Sequence, residues 1–225
     1  MTQRSIPIGK NQTIIIKVGG SVTVKGHEGD LLVAETTSFG GLAVERRSES
    51  EIGRARAAIG EHVLFDVRLK LPGSRGSDEV IEVNVGGSGK VLVPFETNMK
   101  VYAGKDIDVQ DIRGQVDAYS GLNLNLKDVY HLGNVSAGGN MDIDCQTMIG
   151  KEVTFGAGRD LRFHVADLTS ARLRVKDIGG YWEARIGGGE KSVYLKSGGD
   201  VTFVTDQKVE PLPPNYILGK IERPA

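Results

Sequence analysis

The residues of this 225-residue chain whose types could do chemistry are four histidines, one cysteine, two glycine-rich segments ending in lysine and a set of spaced aspartates and asparagines. His27, His62, His131 and His164 lie far apart and form no H-x-x-x-H or H-E-x-x-H pair, so they read as surface residues, not metal ligands. Cys145 follows Met141 and Ile143 in phase and turns inward, whereas a nucleophile needs exposure and a base that lowers its pKa. Gly86-Gly-Ser-Gly-Lys90 lacks the glycine of a phosphate loop at Asn84 and the hydroxyl residue at Val91, and Gly187-Gly-Gly-Glu-Lys191 fails as well. Both therefore read as turns. The pairs Asp106/Asp108, Asn123/Asn125 and Asp142/Asp144 alternate with apolar residues, so both members of each face outward, and stacking would line them into a ladder. Such oxygens suit Ca²⁺, yet the nine-residue calcium repeat is missing, and a solvated or ion-paired ladder is the plainer expectation. Arg159, Arg162, Arg172, Arg174, Lys176 and Arg185 then make the following outward surface basic.

Composition defines what must position these residues. Val (24) and Ile (16) together outnumber Leu (17), and 31 glycines punctuate the chain, which favours strands joined by tight turns. With 28 basic and 29 acidic residues no overall field favours nucleic acid. One Cys excludes a disulfide framework. The N-terminus has no apolar run of signal length, and no segment is long and apolar enough for a membrane helix. The expectation is a cytoplasmic protein with no membrane insertion, no nucleic-acid partner and no cofactor.

From Ala103 onward a glycine followed by alternating apolar and polar residues recurs, at Gly104, Gly121, Gly139, Gly158, Gly180 and Gly199, spaced by 17 to 22 residues. Each unit holds two short alternating runs, such as Ile107/Val109 with Val116/Ala118, or Leu122/Leu124/Leu126 with Val135/Ala137. A unit this short cannot bury its own apolar face, so neighbours must stack. The predicted fold is all-β: a β-solenoid of two-strand coils of about 17–22 residues, with a β-sandwich as the alternative. The expected organisation is an N-terminal extension over 1–12, irregular early coils over 13–102, regular coils over 103–205 and a Pro-rich arm over 206–225. Early runs include Ile14/Ile16/Val18, Leu31/Val33 and Val63/Phe65/Val67. Ser48 and Glu51 form a capping pair ahead of Ile52, Ala55 and Ile59, which predicts a short helix or loop near 48–60. Residues 71–78 read as a turn.

Val91-Leu-Val-Pro94, followed by Met99-Lys-Val-Tyr-Ala-Gly-Lys-Asp-Ile-Asp-Val-Gln-Asp-Ile-Arg-Gly114, resembles the bacterial putative-adhesin family of β-strand repeats, a domain of unknown function. The similarity is clear over about 91–205 and vaguer over 13–90. It implies a β-helical fold and no established enzymatic activity.

A stack of strands leaves open edges at both ends, which a protein must cap or pair. The arm carries Pro211, Pro213 and Pro214 ahead of Tyr216, Ile217 and Leu218, a stiff spacer before an apolar segment. Folding back as a cap and docking on a neighbouring copy remove the same surface from water. The first functional expectation is a non-enzymatic structural protein that self-associates into a homo-oligomer or larger assembly through its ends and this arm. The alternative is a binding or adhesion module presenting long β-faces to a polymer, surface or protein partner.

Overall fold

The computed structural model describes residues 2–9, 12–36, 41–48, 79–168, 170–178, 180–205, 207–212 and 220–222. Among them are nineteen strands joined in one hydrogen-bonded sheet, with no helix. The strands sort into two ladders, because the chain crosses from one to the other at nearly every turn.

The first ladder begins with β1 (Thr2–Pro7), antiparallel to β4 (Leu31–Thr36), which is antiparallel to β7 (Gly89–Pro94). All further pairings in it are parallel. β7 pairs β3 (Val22–His27), which pairs the first half of β9 (Ile107–Ser120). The first half of β10 (Leu124–Ala137), then β11 (Met141–Met148), β13 (Leu161–Val165), β17 (Val201–Val204) and β19 (Lys220–Glu222) follow. Val24, Val109, Leu126, Ile143, Phe163 and Phe203 are register partners in succession along this ladder, and all are buried.

The second ladder runs from β5 (Leu42–Ser48) and β6 (Glu79–Val85) through β2 (Thr13–Val18) and β8 (Asn98–Ala103) to the second halves of β9 and β10. It continues through β12 (Glu152–Ala157), β16 (Lys191–Ser197), β14 (Ala171–Asp177), β15 (Gly180–Ile186) and β18 (Glu210–Pro211). Its buried row is Ile16, Val101, Ala118, Val135, Phe155, Leu195 and Val175. The two rows meet: the rings of Phe155 and Phe163, one from each ladder, have centroids 4.7 Å apart, and Phe163 continues to Phe203 at 5.9 Å. Period-two alternation thus feeds one apolar core from both sides.

β9 and β10 each turn from one ladder into the other without a break. Asp111 and Asp128, register-equivalent, make that bend at φ 58° and 54°. Aspartate tolerates the left-handed region better than most residues because its short side chain can bond locally.

Several expectations need correction. Residues 2–7, assigned to an extension, form β1 on the sheet edge. Leu31 is exposed and Leu32 and Ala34 are buried, because the run Leu31-Leu-Val-Ala34 is apolar in both phases and alternation cannot choose between them. Leu122 is exposed, since it occupies the turn rather than the strand. The regular period stops after β13. β14 pairs antiparallel with β15, and β16 then returns to lie between β12 and β14. Gly180 therefore opens a hairpin strand instead of anchoring a coil. Ser48 ends β5, and the remainder of the predicted helix or loop, together with 71–78, lies outside the described residues.

Candidate functional site

Three sets of side chains repeat along the ladders. The first sits in the turns from the second ladder to the first, where Gly86, Gly19, Gly104, Gly121, Gly138, Gly158 and Gly198 stack. A Cβ on any of the last six would lie 2.1–2.6 Å from the carbonyl oxygen of the glycine before it. Their N–H groups donate to Val85, Val18, Ala103, Ser120, Ala137 and Ala157 at 2.9–3.1 Å. The true anchors are thus Gly138 and Gly198, each one residue before the glycine that pattern-matching selects. Gly86-Gly87-Ser88 is one of these turns, which explains its glycines without a phosphate.

Two residues beyond each glycine but the last stands a polar side chain that bonds the next rung. Ser21 N–H donates to Ser88 Oγ (3.1 Å), Ser21 Oγ to Asp106 Oδ2 (3.1 Å), and Asn123 N–H and Nδ2 to Asp106 Oδ1 (3.2 and 2.9 Å). Asn140 N–H donates to Asn123 Oδ1 (3.0 Å), Asp160 N–H to Asn140 Oδ1 (3.3 Å) and Asp200 N–H to Asp160 Oδ1 (3.1 Å). The backbone N–H of Asn123, with the other donors, holds the Asp106 carboxyl below its ordinary value. These carboxylates and amides satisfy turn amides that have no strand partner, a structural use.

The second set lies on the outward face of the first ladder. Asp108, Asn125 and Asp142 are register partners, continued by Arg162 and Thr202, while Asp144 pairs with His164 one column further along. The predicted ladder thus divides three ways: Asp106 and Asn123 in the turn column, Asp108, Asn125 and Asp142 in the next, Asp144 in the third. The 142/144 pair is shifted by two residues because Asn140 holds the turn position. Asn125 Nδ2 donates to Asp108 Oδ1 at 3.4 Å, Arg162 Nε lies 3.9 Å from Asp142 Oδ1, and His164 Nδ1 lies 3.0 Å from Asp144 Oδ1. These side chains form a shallow open trough, floored by Ile107, Leu124 and Met141. Among the described residues no three His, Cys, Asp or Glu side chains are grouped to hold a metal ion. Cys145 is buried, its thiol donates to His164 O at 3.7 Å, and burial pushes its pKa up to about 12.

The third set crosses the outward face of the second ladder, and the sequence reading missed it. Asn84, Lys17, Tyr102, Tyr119, Ser136, Gly156, Lys196, Lys176 and Tyr181 are register partners in that order. Tyr102 and Tyr119 stack at 5.2 Å with rings 10° apart. The 17-residue offset of the two tyrosines, equal to that of Gly104 and Gly121, was the available signal. Beside this row Glu183 accepts from Arg172 Nε (2.9 Å) and from Tyr181, and lies 3.4 Å from Arg174 Nε; these partners hold its carboxyl below its ordinary value. Arg174 also lies over the Tyr194 ring at 5.1 Å.

On the same face Asp117 is buried, beneath a bulge where β10 shifts register against β9. Its Oδ1 accepts from Asn134 N–H at 2.8 Å and would sit 2.0 Å from any Cβ on Gly133. Burial raises its pKa above 3.8 in spite of that bond and of Lys100. The folded state therefore holds this proton more tightly than the unfolded chain. Its contribution to stability is greatest below 3.8 and falls as pH rises through the raised folded value. Asp117→Asn, which keeps an acceptor oxygen, should gain stability relative to wild type across that window. Urea unfolding followed from acid to neutral pH measures this, and parallel profiles for the two proteins contradict it.

Of the proposed assembly arm, Pro211 pairs with Ala184 in β18, while Lys220–Glu222 add a rung beside β17 of the same chain. Pro213, Pro214, Tyr216, Ile217 and Leu218 lie outside the described residues.

Neither a family model nor a curated protein matches the chain. Among solved structures it is similar to a putative cell adhesion protein from Clostridium sporogenes, with 10% identity over 90% of this chain and 98% of that one and a TM-score of 0.40. A likeness this loose transfers no function.

Proposed function

We propose that the chain is a β-solenoid of the adhesin-repeat kind and acts as a non-enzymatic scaffold that presents its long outward faces to a partner. The observation that carries this reading is the columns. Successive rungs are locked by the glycine stack and by the polar side chains serving the next turn. Outward residues of consecutive rungs are therefore held side by side at about 4.8 Å, over a core with no freedom to shift register. Such a surface matches extended or repetitive partners, and its residues engage one another in structural bonds instead of converging on a reaction centre.

Self-association is the second reading, favoured by β1, an exposed strand whose one paired strand among the described residues is β4. Light scattering on the full chain and on a chain lacking 211–225 separates the two. The scaffold reading expects a monodisperse monomer that becomes less stable and prone to aggregate on truncation, because the edges of β15 and β17 open. Conversion of a larger assembly into smaller, still β-rich species would favour self-association through the arm.

A further inference from the structure

The geometry points to the row on the outward face of the second ladder as a binding site for a uronic-acid-containing polysaccharide. This rests on the scaffold reading and assigns its ligand. Tyr119 has Tyr102 against one side, and on the other the row drops to Ser136 and Gly156. A Cβ built on Gly156 meets nothing within 4 Å, so the face is open there. Beyond the gap Lys196 and Lys176 stand on adjacent strands, both exposed. Neither has a carboxylate partner among the described residues. The nearby Glu183 is already engaged by Arg172, Arg174 and Tyr181. Two like charges side by side repel, and an anion placed between them removes that cost.

The occupant follows from what lies along the row. An aromatic wall takes the C–H face of a sugar ring, while the Ser136 hydroxyl and the bare strand at Gly156 take its hydroxyls and bulk. The lysine pair, three and four rungs beyond Tyr119, takes a carboxylate further along the chain of sugars. A nucleic acid, with a charge on every nucleotide, needs a broad basic field. This chain has a net charge of −1, and its other outward face carries Asp108, Asp142 and Asp144.

Calorimetric titration with an oligogalacturonate tests the site, using a neutral malto-oligosaccharide and an oligothymidylate as comparisons. Two variants leave the buried core residues unchanged: Lys176→Gln with Lys196→Gln, and Gly156→Leu, which puts an apolar side chain into the gap from a position whose Cβ meets nothing within 4 Å. Wild type should bind the galacturonate saturably and the other two more weakly, and each variant should raise Kd by about tenfold or more. The assignment is overturned by absence of saturable binding, by binding that both variants leave unchanged, or by tighter binding of the oligothymidylate. If the galacturonate fails while the protein is a monodisperse monomer, the ligand alone is wrong. If wild type is already assembled with this row buried between copies, the scaffold reading beneath it fails.

Discussion

Gly158→Ala should lower the melting temperature by about 10 °C, corresponding to a loss of roughly 3 kcal/mol or more in a chain of this length. The added carbon would sit 2.1 Å from the Gly138 carbonyl oxygen and 2.8 Å from its carbon. Both are backbone atoms of the preceding rung, so no side chain can swing aside. Relief requires the rungs to part, which breaks the Gly158 N–H bond to Ala137 O. Gly156→Ala, two residues earlier, is the internal comparison. Its Cβ meets nothing, and alanine loses less conformational freedom on folding than glycine, so that variant should melt within a degree or two of wild type or slightly above it. Differential scanning calorimetry of both variants measures the contrast. Equal melting temperatures would mean that the glycines do not stack.

Phe163→Asp should abolish cooperative unfolding or cost more than about 5 kcal/mol, comparable to the whole stability of many domains. Phe163 is fully buried and lies in register between Ile143 and Phe203, with the Phe155 ring reaching it from the other ladder. A carboxylate there has no partner and leaves a cavity among rings. Phe163→Leu separates the two contributions. It removes aromatic contacts without adding charge and should cost about 1–2 kcal/mol. Near-wild-type denaturation of the aspartate variant would show that Phe163 does not face the core.

Much of this was legible before the structure. Alternation correctly turned Ile107, Val109, Leu124, Ile143 and Phe163 inward, because one apolar face per strand leaves a period of two wherever the other face is polar. It failed at Leu31–Ala34, where both faces are apolar. The glycines were legible as a kind of residue and misplaced by one at 139 and 199, because the doubled glycines of Gly138-Gly139 and Gly198-Gly199 offer two candidates and only backbone stacking decides. The hairpin of β14 and β15 was invisible to spacing, since its strands alternate as any others do and only long-range pairing sets their direction. The Asp/Asn ladder was half legible. Its residue types were right, but the 17-residue period puts Asn140 in the turn column, so Asp142 falls two residues on, in the column of Asp108 and Asn125. Tyr102, Tyr119 and Lys196 belong to three different strands and become one row only when the register is known.

The in-register stacking of rungs is tested most directly by a distance along one column. Thr23, Asp108, Asn125, Asp142, Arg162 and Thr202 succeed one another across five parallel pairings, although Thr23 and Thr202 stand far apart in sequence. Spin labels at Thr23→Cys and Thr202→Cys, in a background with Cys145→Ala, report that separation by pulsed dipolar spectroscopy. A narrow distribution centred near about 24 Å, five spacings of about 4.8 Å, is the predicted result. A broad distribution, or a mean well beyond 35 Å or so, would contradict five stacked rungs at that spacing.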